Sequence, residues 1–172
     1  MKRYFFITIM AVAIAACENK KVGITFDSNT MPMQTVYDAK TMFTDRGQLQ
    51  MLLEQPILYN YEDVDRTQVS PKGIEMSFYD TASKLQVYMR ADSSVNSQAS
   101  KLMRFYRNVI IYDYRTGDTI TTEILNWDQD KRKIYSNVYT RRANAEMITT
   151  GTGFEADEQM THVEIKNPQT YF

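Results

Sequence analysis

The chain carries one cysteine, one histidine and one tryptophan. With Cys17 alone, no disulfide can close within the chain and no multi-thiolate metal site can be assembled. The single histidine, His162, stands in an alternating stretch whose other face carries Val163 and Ile165, and it reads as a surface residue. No apolar run reaches the roughly 20 residues that a bilayer crossing takes. Basic and acidic residues are nearly balanced, at 20 and 21, and neither forms a block or stripe, which excludes a nucleic-acid surface. There is no Gly-x-Ser-x-Gly elbow and no glycine-rich phosphate loop. Glu62, Asp63 and Asp65 read as a solvated loop. Asp128 and Asp130 open like a calcium loop but lack its later glycine and glutamate. Glu155 and Asp157 share one strand face without a third acid. No enzyme constellation emerges, and no metal or cofactor is implied.

The cysteine itself is informative. Lys2 and Arg3 precede a short apolar run, Tyr4 to Ala16, which ends in Ile14-Ala15-Ala16-Cys17. A basic start, an apolar middle and small residues before a cut describe a secretory signal peptide. The Ile-Ala-Ala-Cys sequence resembles the lipobox of bacterial lipoproteins, in which the cysteine is acylated after cleavage. We expect residues 1–16 to be the signal, and 17–35 to be a lipidated N-terminus and polar tether. The folded domain would occupy 36–172. One acyl chain holds a protein weakly, and the several chains of a lipoprotein anchor it stably.

From there the sequence alternates. Ile74, Met76 and Phe78 are interleaved with Glu75, Ser77 and Tyr79, and Leu85, Val87 and Met89 with Gln86, Tyr88 and Arg90. Leu49, Met51 and Leu53 follow the same rule, although Leu52 breaks it. Such period-two runs mark half-buried strands. Turns fall between them at Asp45-Arg46-Gly47, Ser70-Pro71-Lys72-Gly73, Tyr114 to Asp118 and Asp128 to Lys131. Phe105 to Tyr112 is apolar on both faces, so periodicity leaves its buried side open. Gly151 and Gly153 interrupt a late strand, which suggests a bulge or a close backbone approach. Only Ala91 to Met103 has room for a short helix. The spacing predicts an all-β sandwich, jelly roll or open barrel, with antiparallel pairing and one wet face. Sheets packed face to face lie roughly 10 Å apart, and a splayed pair would leave an apolar slot.

An ordered series of residues resembles the LptC family of lipopolysaccharide export. It runs Phe43-Thr44-Asp45-Arg46-Gly47, Tyr61-Glu62-Asp63-Val64, Pro71-Lys72-Gly73-Ile74, Phe78-Tyr79-Asp80, Arg90-Ala91-Asp92 and Asn108-Val109. It continues through Leu125-Asn126-Trp127-Asp128, Lys133-Ile134-Tyr135-Ser136 and the stretch Ile148 to Asp157. The order and spacing, rather than any one piece, carry the resemblance. Two features depart from it. Many members use a transmembrane helix where this chain has Cys17, and Arg107 stands where a glycine is common.

The resemblance implies an open V-shaped β-jellyroll of two antiparallel sheets, the OstA/LptA-like fold, with an apolar groove. It implies a non-enzymatic bridge on the periplasmic face of the inner membrane. The bridge receives lipopolysaccharide from the ABC exporter complex and passes it to a periplasmic bridge protein of the same jellyroll type. The groove candidates are Met51, Met76, Phe78, Val87, Met89, Tyr106, Val109, Leu125, Trp127, Ile134 and Phe154. Gly47 is the candidate contact near the exporter end, and Gly151 and Gly153 near the bridge end. The competing reading is a membrane-anchored lipoprotein β-domain that binds protein and never carries lipopolysaccharide.

Overall fold

A computed structural model describes residues 31–171. The expectations for the signal peptide, Cys17 and most of the tether lie outside the described residues. Twelve strands follow in order: β1 (Gln34–Asp45), β2 (Gln48–Asn60), β3 (Thr67–Ser70), β4 (Ile74–Tyr79), β5 (Leu85–Ala91) and β6 (Ser93–Ser97) come first. Then come β7 (Leu102–Asp113), β8 (Asp118–Asp128), β9 (Lys133–Ala143), β10 (Ile148–Asp157), β11 (Val163–Ile165) and β12 (Gln169–Tyr171). All pairings are antiparallel. β1 starts at Gln34, so the last two residues assigned to the tether are already strand. The Ala91–Met103 stretch is the end of β5, then β6, a turn and the start of β7, not a helix. Its Ser, Val and Asn residues pair with β3 on one side and β7 on the other.

The pairing is interrupted along one line that crosses the whole sheet. Asp38 and Pro56 drop out of the β1–β2 register. Pro71 to Gly73 separates β3 from β4, and Asp92 separates β5 from β6. The register slips between Tyr106 and Val109 in β7, between Thr122 and Asn126 in β8, and between Thr152 and Phe154 in β10. The backbone explains the slips. Asp38, Arg107, Asn108 and Asn167 all have positive φ, and so does Gly153 at φ 134°. Asp and Asn tolerate the left-handed region better than other non-glycine residues, and an inserted residue bends a strand and raises its twist.

This line is a crease, and the sheet folds along it into two facing layers. The first layer holds β4, β5 and β12, the N-terminal part of β2 and the C-terminal part of β7. The second holds β3, β6 and β11, the C-terminal part of β2 and the N-terminal part of β7. β8, β9 and β10 run through both. The V shape is therefore present, but its two sheets are halves of one twelve-stranded sheet. The physical reason is that bulges bend the long strands without cutting them.

Side chains repair the ladder where it is broken. Thr122 donates to the Tyr139 carbonyl at 3.0 Å and lies 3.1 Å from the Ser136 hydroxyl, and Thr140 donates to Thr122 at 3.3 Å. All three are buried. Small hydroxyls fit the bend and satisfy backbone groups that the bulge leaves unpaired.

The core lies between the layers. Ile74, Met76, Met89, Ile111 and Ile120 enter from the first, and Phe105, Leu125, Ile134, Phe154 and Ala156 from the second. The ambiguous apolar stretch of β7 resolves by alternation: Phe105, Val109 and Ile111 point inward, while Tyr106 and Ile110 point away. Phe105 and Val109 share the inner face at even spacing, and the bulge at Arg107 and Asn108, both exposed, interrupts the run between them at the crease.

The two late glycines are structural. A side-chain carbon at Gly151 would land on the Lys166 carbonyl oxygen and the Ile165 side chain. Lys166 is bonded across β10, accepting from the Thr152 N–H at 3.0 Å and donating to the Gly153 carbonyl at 3.0 Å. At Gly47 (φ +80°) nothing lies within 4 Å of the added carbon. We predict that Gly151→Val costs about 3 kcal/mol, a fall in Tm of about 10 °C. Gly47→Asn, which keeps the left-handed turn, is predicted to change Tm little. Thermal unfolding of both variants checks this.

Candidate functional site

The layers do not meet everywhere. Toward the C-terminal strands the space is filled by Ile120, Leu125, Ile134, Phe154, Ala156 and Met160. Toward the N-terminal strands it opens into a cavity of about 840 Å³. That is large on the scale of small-molecule sites, which run from about 300 to 1,000 Å³.

Each wall follows from strand register. Phe43 pairs with Met51, Met51 with Phe78, and Phe78 with Val87. One step nearer the crease, Thr41 pairs with Leu53 and Leu53 with Met76. Paired residues share a face, so the first layer presents a continuous apolar wall. On the second layer, Gln68 pairs with Asn96 and Asn96 with Met103, which in turn pairs with Trp127. That wall is amide-rich over β3 and β6 and apolar beyond. Gln55 reaches across the crease and donates to the Ser70 hydroxyl, both residues being buried.

The mouth of the V is bridged on its C-terminal side. Arg115, in the turn after β7, holds Asp113 through two bonds, Nε to Oδ1 at 2.9 Å and Nη2 to Oδ2 at 2.6 Å. Its Nη2 also donates to the Gln159 carbonyl at 2.8 Å and the Met160 carbonyl at 3.3 Å. Those carbonyls belong to the β10–β11 loop, so one guanidinium ties the tips of the two layers together. Glu158 in the same loop accepts from Trp127 Nε1 at 3.0 Å and from Arg132 Nε at 3.0 Å. Burial opposes the charge on Asp113, but the Arg115 hydrogen bonds outweigh it and hold the carboxyl below the usual range. Asp118 is buried beside it and is held low in the same way by Arg142, at 2.6 Å.

Of the sequence candidates, Met51, Met76, Phe78, Val87 and Trp127 line the cavity. Met89, Val109, Leu125, Ile134 and Phe154 are buried in the packed core, outside the cavity lining. Tyr106 is a correction. It points to the outer face because its neighbour Phe105 points in, so it cannot line a groove between the layers. Gly151 and Gly153 are also corrected. Both are buried beneath the Ile165–Lys166 segment rather than offered to a partner. Gly47 sits in the exposed β1–β2 turn. His162 is exposed and lies 3.1 Å from Asp157. Burial opposes the charge on Asp157, but bonds from Thr161 and His162 bring its pKa to about 2. Glu155 is held between Lys133 and Lys166.

Sequence reasoning missed the amide wall and the Arg115 bridge. The first had a signal, since TQVS and SSVNS alternate with polar residues on both faces. The second depends on a contact between turns 44 residues apart, which no local pattern records.

Two facing layers with an apolar wall, an amide wall and a bridged mouth define an all-β protein of the folded-sheet class with a cavity between its layers. Residues 11–171 match the family model described as lipopolysaccharide-assembly, LptC-related, and the chain belongs to that family. Among solved structures the chain is similar to LptH of Pseudomonas aeruginosa, described as the LptA homologous periplasmic component of the conserved lipopolysaccharide transport device. The identity is 8% and the TM-score 0.30, with 83% of this chain and 95% of that chain covered, a likeness too loose to transfer residue roles. No curated protein matches the chain.

The Arg115 bridge has a pH signature. A carboxyl held below its ordinary value stabilises the fold above the usual carboxylate range, and that contribution is lost as pH falls through the lowered value. Trp127 reports the bridge because its ring N–H is bonded to the bridged loop. Its fluorescence should hold steady through neutral pH and change in acid. Arg115→Ala should show the changed emission already at neutral pH and lose about 2 kcal/mol of stability.

Proposed function

We propose that this protein is a lipopolysaccharide bridge that receives cargo from the inner-membrane ABC exporter complex. It hands that cargo to a periplasmic bridge protein of the same jellyroll type. In this reading it works at the periplasmic face of the inner membrane, held by acyl chains on Cys17 after removal of residues 1–16. The supporting observation is the cavity between the layers, in a chain of the lipopolysaccharide-assembly family. Burying one methylene is worth about 0.8 kcal/mol, so a few carbons of one acyl chain against Met51, Met76 and Phe78 gain several kcal/mol. The cavity's partial opening keeps the hold incomplete, which suits transfer rather than storage. No bond is made or broken on the protein, and the exporter's ATP supplies the direction of flow.

The outer strands suit relay from chain to chain. Among the described residues β1 pairs only with β2 and leaves its other edge free, with Tyr37 and Met42 about two-thirds exposed, at 70% and 68%. A free edge can accept a further strand from a neighbour. We assign the β1 edge to the exporter side and the β11–β12 edge to the next bridge protein.

Photo-crosslinking in fractionated cells tests this. A photoreactive residue at Phe78 should give a lipopolysaccharide adduct that depends on the exporter's ATP supply, and one at Tyr106 on the outer face should give none. Cys17→Ser in the same cells should move the protein out of the membrane fraction. No adduct at Phe78 would favour a lipoprotein that carries no lipopolysaccharide, and equal adducts at both positions would overturn the cavity as the place where the cargo is held.

A further inference from the structure

The two outer faces of the folded sheet differ in kind. On the first layer, the outer row nearest the crease runs Lys40, Glu54, Glu75 and Arg90, paired in register and all charged. Across the crease, the second layer turns apolar side chains outward. Tyr37 pairs with Ile57, and Tyr59 with Val69, which pairs in turn with Val95. These residues alternate with Leu58, Gln68 and Asn96, which line the cavity, so they stand on the opposite face. Tyr106 joins them from β7. Tyr37 is exposed and the others are half-buried.

Beside this face, a groove of about 440 Å³ follows the outside of the crease. Pro56, Pro71 and Gly73 line it, together with three cations, Lys72, Arg90 and Arg107. All three cations are exposed, and among the described residues none has a carboxylate at ion-pair distance. The groove's two acids do not engage them. Asp92 accepts from Asn108 Nδ2 at 2.7 Å, and Glu75 stands opposite Arg90 in register without pairing with it. Cations left without carboxylates are available to phosphate. Tyrosines beside arginine and lysine are the composition that sits at a bilayer–water boundary, apolar bodies inward and polar tips in the headgroups.

The place of this face along the chain points to the bilayer as its occupant. β1 begins at Gln34, 17 positions after Cys17, which is a span of at most about 60 Å even when fully extended. Tyr37 follows almost at once. With Cys17 acylated, the contact between face and bilayer is intramolecular and needs little affinity of its own.

We propose that the outer face of the second layer docks on the bilayer that anchors the chain. Lys72, Arg90 and Arg107 take the phosphates of anionic lipid headgroups, and Tyr37, Tyr59 and Tyr106 enter the interface. This rests on the reading of Cys17 as an acylated anchor and adds the face that the anchor presents. The lipids met there are bulk phospholipids, outside the cavity and independent of the exporter.

The test uses the full chain, purified with its anchor and reconstituted in two kinds of vesicle. One is phosphatidylethanolamine with phosphatidylglycerol, the other phosphatidylcholine alone. A photoreactive residue is placed at Tyr37 or, as the control, at Tyr171 on β12 in the first layer. With phosphatidylglycerol present, phospholipid adducts at Tyr37 should exceed those at Tyr171 at least fivefold. Lys72→Gln/Arg107→Asn should lower the Tyr37 adduct about fivefold or more, one cation near an anionic surface being worth roughly that factor. The variant should then match the level seen in phosphatidylcholine. Asn tolerates the left-handed backbone at position 107, φ 61°, so Tm should not change. Equal adducts at Tyr37 and Tyr171, or Tyr37 adducts indifferent to phosphatidylglycerol and to the double variant, would overturn the docking face. Mass spectrometry of Cys17 in the same samples reads the anchor separately, and a chain without acyl groups would overturn the anchoring on which the inference rests.

Discussion

The crease is the constraint on which the structure depends. A twelve-stranded antiparallel sheet with one apolar face has to bury that face, and this chain does so by folding the sheet on itself. The fold line is written in residues that leave the extended region cheaply: Asp38, Asn108 and Asn167 in left-handed backbone, Gly153 at a bulge, and Pro56 and Pro71 where no ladder donor is needed. Thr122, Ser136 and Thr140 fill the bend and satisfy what the bulges expose. Because the long strands bend rather than break, both layers stay in one hydrogen-bonded sheet and their angle is set by local backbone geometry.

That geometry gives the molecule two unlike halves. Toward the C-terminus, Leu125 and Phe154 close the gap between layers, and Lys166 packs so tightly over Gly151 that no side chain fits there. Toward the N-terminus the first layer offers Met51, Phe78 and Val87, but the second offers amides where large apolar residues would be needed to fill the space. The cavity is the consequence of that mismatch. Arg115 marks the boundary, drawing the layer tips together where the packed half begins. A closed, stable end and an open, receptive end within one sheet suit a protein that must hold its own shape while a guest enters and leaves. The abundance of methionine on the apolar wall adds to this, since its unbranched side chain adapts to changing contents.

Much of the fold was legible in the sequence, because period two is a strong local signal. β4 and β5 are alternating runs bounded by turn residues, and their inward faces are the apolar ones. The even spacing from Phe105 to Val109 to Ile111 was not decidable from sequence, since both faces of β7 are apolar there, and Tyr106 was assigned to the wrong side. Ala91–Met103 was open to a helix because its polar content hid a strand buried by pairing on both edges. The site was legible only in part. Apolar residues announce that they are buried, but Leu125 and Phe154 in a packed half read the same as Met76 and Phe78 beside a cavity. That difference arises from what stands opposite in the other layer, a long-range fact. The glycines near Lys166 carry the same lesson, since a residue demanded by close packing and one presented to a partner look alike in sequence.

In the proposed transfer the N-terminal half admits an acyl chain between the layers while the C-terminal half stays packed. Methyl NMR of the chain labelled at its methionines, titrated with lipopolysaccharide, tests it most directly. The Met51, Met76 and Met103 methyls, at residues that line the cavity, should shift with added ligand, while Met89 and Met160 in the packed core hold their positions. Shifts confined to the exposed Met42 on β1, or none at all, would contradict it and leave the cavity without cargo.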